Sequence, residues 1–210
     1  PWVHKSGAHL ADKRAVCADL SDEAGLVALF AEAQPTHIIH LAAISFVAHG
    51  AQEDFYRVNT LYTDNLLAAA RKWGGSLDKI VLASSANVYG IPQSDCVTEA
   101  HPMAPINHYG CSKASMEFVA STYMADLPIL LVRPFNYTGH GQPDHFLLPK
   151  IVAHAKSRKP SIELGNLDIV RDFSDVRDVV RAYVGLAGSD VTGQAINICS
   201  GSGYSLQQVL

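Results

Sequence analysis

Tyr109 and Lys113 carry the first chemical signal in the chain, in the run His108-Tyr109-Gly110-Cys111-Ser112-Lys113. A helix is expected behind them over 114–123, and an i, i+4 pair on a helix shares one face, one turn apart. A phenol has an ordinary pKa of about 10 and is protonated at neutral pH. A cation one turn away favours the phenolate, so the pair can pass a proton to or from a substrate oxygen. That is the chemistry of alcohol–ketone interconversion. The spacing alone is weak, because a core-capping Tyr and a solvated Lys produce it too. Context comes from upstream. Lys79-Ile80-Val81-Leu82-Ala83 is a short apolar run ending in Ser84-Ser85, followed by Ala86-Asn87-Val88-Tyr89-Gly90. A buried parallel strand ending in hydroxyls places them at the carboxyl edge of a sheet, where open α/β folds bind ligands.

The S-S-A-N-V-Y-G and Y-x-x-x-K segments resemble the extended short-chain dehydrogenase/reductase family, in its branch acting on nucleotide sugars. The resemblance runs over nearly the whole chain. It implies an α/β fold with a doubly wound, Rossmann-type parallel sheet and a partial interleaved substrate lobe. Residues 1–134 would form the nucleotide-binding domain without its first βαβ segment. Residues 135–210 would form mostly the substrate lobe, with 174–188 returning to the core. The cofactor implied is NADP or NAD, and the triad is Ser85, Tyr109 and Lys113. Asn59 joins them as the family residue that holds the active-site helix and a water-linked proton path. Along the dinucleotide the resemblance places Asp19 at the adenine amino group with Leu20 beside it. It then places Leu41, Ala42, Ala43, Asn59, Ser84, Tyr109, Lys113, Arg133 and Phe135. A surface Asp after a strand explains Asp19 equally well. Toward the substrate it places Ser85, Asn87, Asn136, Lys150, Asn166 and Arg171. A guanidinium forks well onto a diphosphate, although a solvated Arg is the alternative at 171.

Composition narrows the classes. A chain of 210 residues allows one domain, or one plus part of another. Hydrophobic content of 48% suits a globular α/β protein and excludes a disordered one. The formal net charge of −4 gives no nucleic-acid surface, so arginines must meet an anionic substrate locally. No apolar run nears the ~18 residues of a membrane span, and no secretory pattern opens the chain. Cys17, Cys96, Cys111 and Cys199 are scattered, as reduced thiols in a cytoplasmic protein would be. No H-E-x-x-H or other metal pattern is present, and His37 and His40 read as structural or surface residues.

In chain order, no glycine-rich strand–turn–helix signature lies near Pro1, so roughly 30 residues of a βαβ unit are expected to be missing. A strand is expected over 16–20, then a helix through Gln34 capped by Ser21 or Asp22. Residues 36–43 read as a buried parallel strand whose Ala42 and Ala43 permit close approach of a cofactor. A helix follows over 52–73, with Phe55, Val58, Tyr62, Leu66 and Ala69 as its apolar stripe. Asn59 is a poor helix residue inside it. A Pro-rich loop over 91–107 is long enough to cover part of a substrate site. Residues 128–134 form another buried strand, leading into R-P-F-N-x-T-G. The G-N-L-D and R-D-F-S-D-V-R-D-V-V wording is nearest to the GDP-mannose dehydratase and GDP-6-deoxymannose reductase group. A strand at 195–198 and a helix from Ser205 end the chain, which also reads as truncated there. Homodimerisation through 52–73 and 109–124 is a family implication. His4-Lys5-Ser6 lack a carboxylate for the ribose hydroxyl, which leans to NADP.

The reaction turns on two positions. A dehydratase needs two further acid–base groups, which in the family directly follow the catalytic hydroxyl. Here they are Ala86 and Asn87, and neither titrates. The expectation is therefore an NAD(P)H-dependent reductase taking GDP-4-dehydro-6-deoxy-D-mannose to GDP-D-rhamnose. The alternatives are an NAD-dependent nucleotide-sugar 4-epimerase, a GDP-mannose 4,6-dehydratase using Glu99 or Asp95 from the covering loop, and a non-catalytic NAD(P)-sensing relative.

Overall fold

The computed structural model describes residues 2–3, 15–46, 50–94 and 96–210. The expectations for His4, Lys5, Ser6 and Asp95 lie outside the described residues. Its centre is a parallel sheet of β3 (His37–His40), β4 (Lys79–Ala83), β5 (Ile129–Pro134) and β8 (Ala195–Ile198), in the order β3-β4-β5-β8. Alternation along the strands decides what each face meets. Ile80, Leu82, Ile129 and Leu131 point to one side. There they pack on α1 (Glu23–Ala33), α3 (Tyr62–Trp73) and α4 (His108–Ser121) through Leu26, Phe30, Leu66, Leu67 and Met116. Val81, Leu130 and Val132 point to the other side and meet Val179 and Tyr183 of α6 (Val176–Ala187). Helices therefore cover both faces of a parallel sheet, which is why β4 and β5 read as unbroken apolar runs. The buried Lys79 at the start of β4 donates from Nζ to the Val191 carbonyl at 2.6 Å, tying the approach to β8 onto the sheet.

Two strands differ from expectation. β3 is an edge strand, paired only with β4 among the described residues. Ile39 and Leu41 are 42% and 61% exposed, so the expected buried strand is half open. A separate parallel pair, β1 (Trp2–Val3) with β2 (Ala15–Val16), precedes α1. β2 ends before Asp19 because that residue begins a turn: its carboxylate accepts from Ser21 N and its carbonyl from Asp22 N. Asp22 then caps α1 through Gly25 N.

A second, three-stranded sheet holds β6 (Asn136–Thr138), β7 (Val170–Asp175) and β9 (Gly203–Ser205). β6 runs parallel to β7, and β9 antiparallel. α5 (Leu147–Lys156) accompanies it with no fully buried residue. The Asp172 carboxylate accepts from Ser200 N, Ser200 Oγ, Gly201 N and Ser202 N, fastening β7 to the turn after β8.

Candidate active site

α4 begins at His108, six residues before the expected start, because Asn107 caps it by accepting Gly110 N at 2.8 Å. Tyr109 and Lys113 therefore lie in one continuous helix, on one face. Gly110 lets that helix approach the 3-10 turn Ala86–Tyr89. A Cβ there would stand 2.7 Å from the Asn87 carbonyl oxygen and 3.0 Å from Pro105 Cβ. The turn ends on Gly90, whose φ of +67° favours glycine and which sits tightly against the Ala104 carbonyl.

Ser85 caps this turn, and its Oγ accepts from Asn87 N and Asn87 Nδ2, each at 3.1 Å. Burial raises the Tyr109 pKa, and a hydrogen bond with Ser85 works against that rise. Desolvation is the largest influence on the phenol and favours its protonated form. Burial also lowers the Lys113 pKa to about 8, opposed by the negative charge of Glu117. Lys113 Nζ donates to the Ala83 carbonyl at 2.6 Å, locking the helix to the end of β4.

The segment 52–73 is not one regular helix. α2 (Gln52–Tyr56) passes into a π-turn (Arg57–Leu61) and then α3. The extra residue shifts the facing register. Asn59, Thr60 and Thr63 are buried, while Val58 and Tyr62 of the expected stripe stay partly exposed. Asn59 Oδ1 accepts from Ile44 N at 2.8 Å, and its Nδ2 donates to the Ile44 carbonyl and to Ser112 Oγ, both at 3.0 Å. It binds the segment after β3 to α4 beside the Tyr–Lys pair. Below it His40 is buried, with Nε2 3.0 Å from Thr63 Oγ1, and burial lowers its pKa to about 4.

A buried network lies under the site. Glu117 accepts from Ser84 Oγ and from Arg133 Nε and Nη2, the last at 2.6 Å. Arg133 Nη1 donates to Tyr89 Oη at 2.8 Å and to the Glu99 carbonyl. Tyr89 in turn donates to Asn197 Oδ1. The Arg133 side chain, expected along a dinucleotide, is engaged by this network. Glu117 was not anticipated. Its sequence signal is a carboxylate one turn beyond Lys113, on a face otherwise small or apolar. Phe135 packs beneath Val88, Tyr89 and Ala114. Tyr137, also unanticipated, lies close enough to Tyr109 to raise its pKa.

The structure thus gathers Ser84, Ser85, Asn87, Tyr109, Lys113 and Asn59. Asn136 on β6, Lys150 on α5, Asn166 before β7 and Arg171 on β7 are each hydrogen-bonded to residues of that same stretch of chain. Their partners are the Asp172 carbonyl, the Glu163 carbonyl, Asp168 N and the Val170 carbonyl. A cleft of about 940 Å³ opens along the outer edge of β3. Asp19, Leu20, Leu41, Ala42 and Ala43 line it, with Leu26 and Phe30 from α1 and Val58 from the π-turn. Ser85, Tyr109 and Lys113 are outside its lining.

Residues 3–210 match the family model described as GDP-mannose 4,6-dehydratase. The chain belongs to that family. Among curated members of this nucleotide-sugar group, a GDP-6-deoxy-D-talose 4-dehydrogenase from Aggregatibacter actinomycetemcomitans is 37% identical over 191 residues. That alignment covers 91% of this chain and 65% of the relative. A GDP-6-deoxy-D-mannose reductase from Pseudomonas aeruginosa is 30% identical over 188 residues, covering 84% of this chain and 61% of the relative. The chain therefore spans less than two thirds of the length of these two relatives. The structure of RMD from Pseudomonas aeruginosa complexed with NADPH superposes with a TM-score of 0.81 at 29% identity. It is covered over 72% of its length by 95% of this chain. Within the GDP-mannose 4,6-dehydratase family the described residues supply the parallel sheet and the Ser–Tyr–Lys group. Among them no helix is long and apolar enough to cross a membrane.

Proposed function

We propose that the protein is an NAD(P)H-dependent reductase of a 4-keto GDP-6-deoxyhexose, acting on GDP-4-dehydro-6-deoxy-D-mannose to give GDP-D-rhamnose. The observation that carries this reading is what surrounds Ser85: a proton donor at Tyr109 and a buried cation at Lys113, with a non-titrating Asn87 held onto the Ser85 hydroxyl. Such a group suits proton delivery to a ketone oxygen and lacks the second acid–base pair that elimination requires. Glu99, the loop carboxylate that could have served a dehydratase, accepts from Asn197 N at 2.7 Å. That bond holds its pKa below the usual range. It is a poor base in that position.

Asp19, Leu20 and residues 41–43, which follow β2 and β3, would hold the dinucleotide. Bound there, a nicotinamide supplies hydride chemistry. The chain's own residues do the rest. The Tyr109 hydroxyl donates its proton to the substrate oxygen, and Ser85 hydrogen-bonds the same oxygen. Lys113 stays charged below about pH 8 and stabilises the phenolate left behind. The covering loop is anchored by Ala104 N on the Val88 carbonyl and by Asn197 on Glu99 and Val97, which limits water at the reacting oxygen. Arg171 and Asn136 lie in the lobe where a sugar diphosphate would be gripped.

A second product is favoured by one observation, the greater identity to the 6-deoxy-D-talose enzyme than to the mannose reductase. The two products differ only in the face of C4 that receives hydride. The test is to supply the full-length protein with GDP-4-dehydro-6-deoxy-D-mannose and NADPH, following reduced-nicotinamide absorbance and the product's NMR coupling constants. One equivalent of NADPH consumed per ketone is expected, and the C4 configuration assigns rhamnose or 6-deoxytalose. Keto-sugar formation from GDP-mannose on the order of 1 s⁻¹, or hexose interconversion without added cofactor, would overturn the reductase reading.

A further inference from the structure

Asn87 was expected to touch substrate, but its hydrogen bonds run the other way. We infer that Asn87 is a positioning residue: its backbone and side-chain N–H groups both saturate the Ser85 oxygen, so that the Ser85 hydroxyl can only donate. A serine hydroxyl has one proton and two acceptor sites. Both acceptor sites are filled at 3.1 Å by the same residue. Ser85 is only 5% exposed, so water has little access to compete. The one remaining function is the proton, and the partner within reach is the Tyr109 oxygen. A ketone oxygen arriving between them meets two donors, Ser85 and Tyr109, and no acceptor.

The arrangement is held from several sides. Val88 N donates to the Ser85 carbonyl at 3.2 Å, closing the turn. Gly90 N donates to the Asn87 carbonyl at 3.3 Å, and that same carbonyl is pressed against Gly110. Asn87 therefore cannot slide from Ser85 without moving α4. A carboxylate at this place would accept the Ser85 proton and reverse the hydroxyl. An alanine would leave one oxygen site open, letting the hydroxyl rotate and accept from Tyr109.

This inference rests on the reductase reading only for its kinetic arm. In the full-length protein, Asn87→Ala should lower kcat about 3–10-fold, the worth of one positioned hydrogen bond, with KM nearly unchanged. In a Ser85→Ala background the same substitution should cost nothing further, because its target is gone. A raised KM with unchanged kcat, or an undiminished effect without Ser85, would make Asn87 a direct substrate contact and sink the proposal. A second arm needs no substrate. NMR of protein labelled at tyrosine Cζ, with the Tyr109 signal assigned by its loss in Tyr109→Phe, reads the hydrogen bond at that oxygen. The signal should move in Asn87→Ala and not move further when Ser85 is already Ala. An unmoved signal in a folded Asn87→Ala protein, judged by the other tyrosine signals, overturns the proposal whatever the substrate proves to be. If wild-type protein fails to reduce the ketone but the Cζ signal shifts as stated, only the functional reading falls. Asn87→Gln guards against misfolding: if it reaches Ser85 again, kcat and the Cζ signal should recover together, and recovery of neither in a folded protein counts against the role.

Discussion

His40 shows how a residue with no evident part in proton transfer to substrate still sets the conditions under which the site exists. It sits on β3 in contact with Thr63, and Thr63 in turn donates to the Asn59 carbonyl at the π-turn. Burial is the main cause of its lowered pKa, with the Lys113 charge adding to it. Unfolded, it takes up a proton near pH 6.5; folded, only near about 4. Between those values the unfolded chain binds the extra proton, so stability falls as the pH drops through this window. The loss is complete near pH 4 and absent above about 6.5. Its size for this one group is about 3 kcal/mol. Urea midpoints at pH 7 and pH 4.5 should therefore separate more for wild type than for His40→Gln. Equal separations would mean that His40 is not held neutral.

At the scale of elements, α4 is joined to the strand ends by charge as well as by packing. Glu117 and Arg133 are both almost wholly buried, at 2% and 5% exposure, and the pair spans from α4 to β5. Burial works against the Arg133 charge, and the Glu117 and Tyr89 hydrogen bonds more than offset it. Removing one partner of such a pair strands the other in a low-dielectric interior, a cost of about 3–5 kcal/mol. Glu117→Gln should lose stability of that order by chemical denaturation. Arg133→Met placed on top should recover part of the loss, since no charge is then left alone. A double variant no more stable than Glu117→Gln would show that the pair is not the source of the cost. The same carboxylate holds Ser84, next to Ser85, so a structural bond and the placement of the site are one arrangement.

Over the whole molecule, stability is concentrated in β4 and β5. Ile80, Val81, Leu82, Ile129, Leu130, Leu131 and Val132 are each at most 5% exposed, and each contributes about 1.5–3 kcal/mol of apolar burial. The small sheet has no fully buried residue on any of its strands, and β3 is paired on one side only among the described residues. Native-state hydrogen exchange should be slowest in β4 and β5, faster in β3, and fastest in β6, β7 and β9. Protection in β7 equal to that in β5 would contradict this ordering.

The placement of the expected site residues on their elements was legible because local sequence determines it. The hydroxyls of Ser84 and Ser85 had to fall at the end of β4 once the apolar run before them formed a strand. Tyr109 and Lys113 had to share a face once α4 formed. Covered faces on both sides made β4 and β5 continuous in apolar residues, so the doubly wound α/β class could be read as well. What the sequence did not carry were outcomes of pairing between distant segments. The π-turn at Asn59 exists because its amide meets Ile44 and Ser112 at once, and no 3.6-residue periodicity encodes that. β3 has the composition of a covered strand, and its pairing on one side only, with β4, among the described residues is read from the sheet order alone. Arg133 reads as free to meet a ligand until Glu117 and Tyr89 are seen to hold it. Asn87 could be known in advance not to titrate, but that its two donors meet the Ser85 oxygen while its carbonyl stands against Gly110 of α4 is a matter of side-chain rotamer and packing, which only the tertiary structure decided.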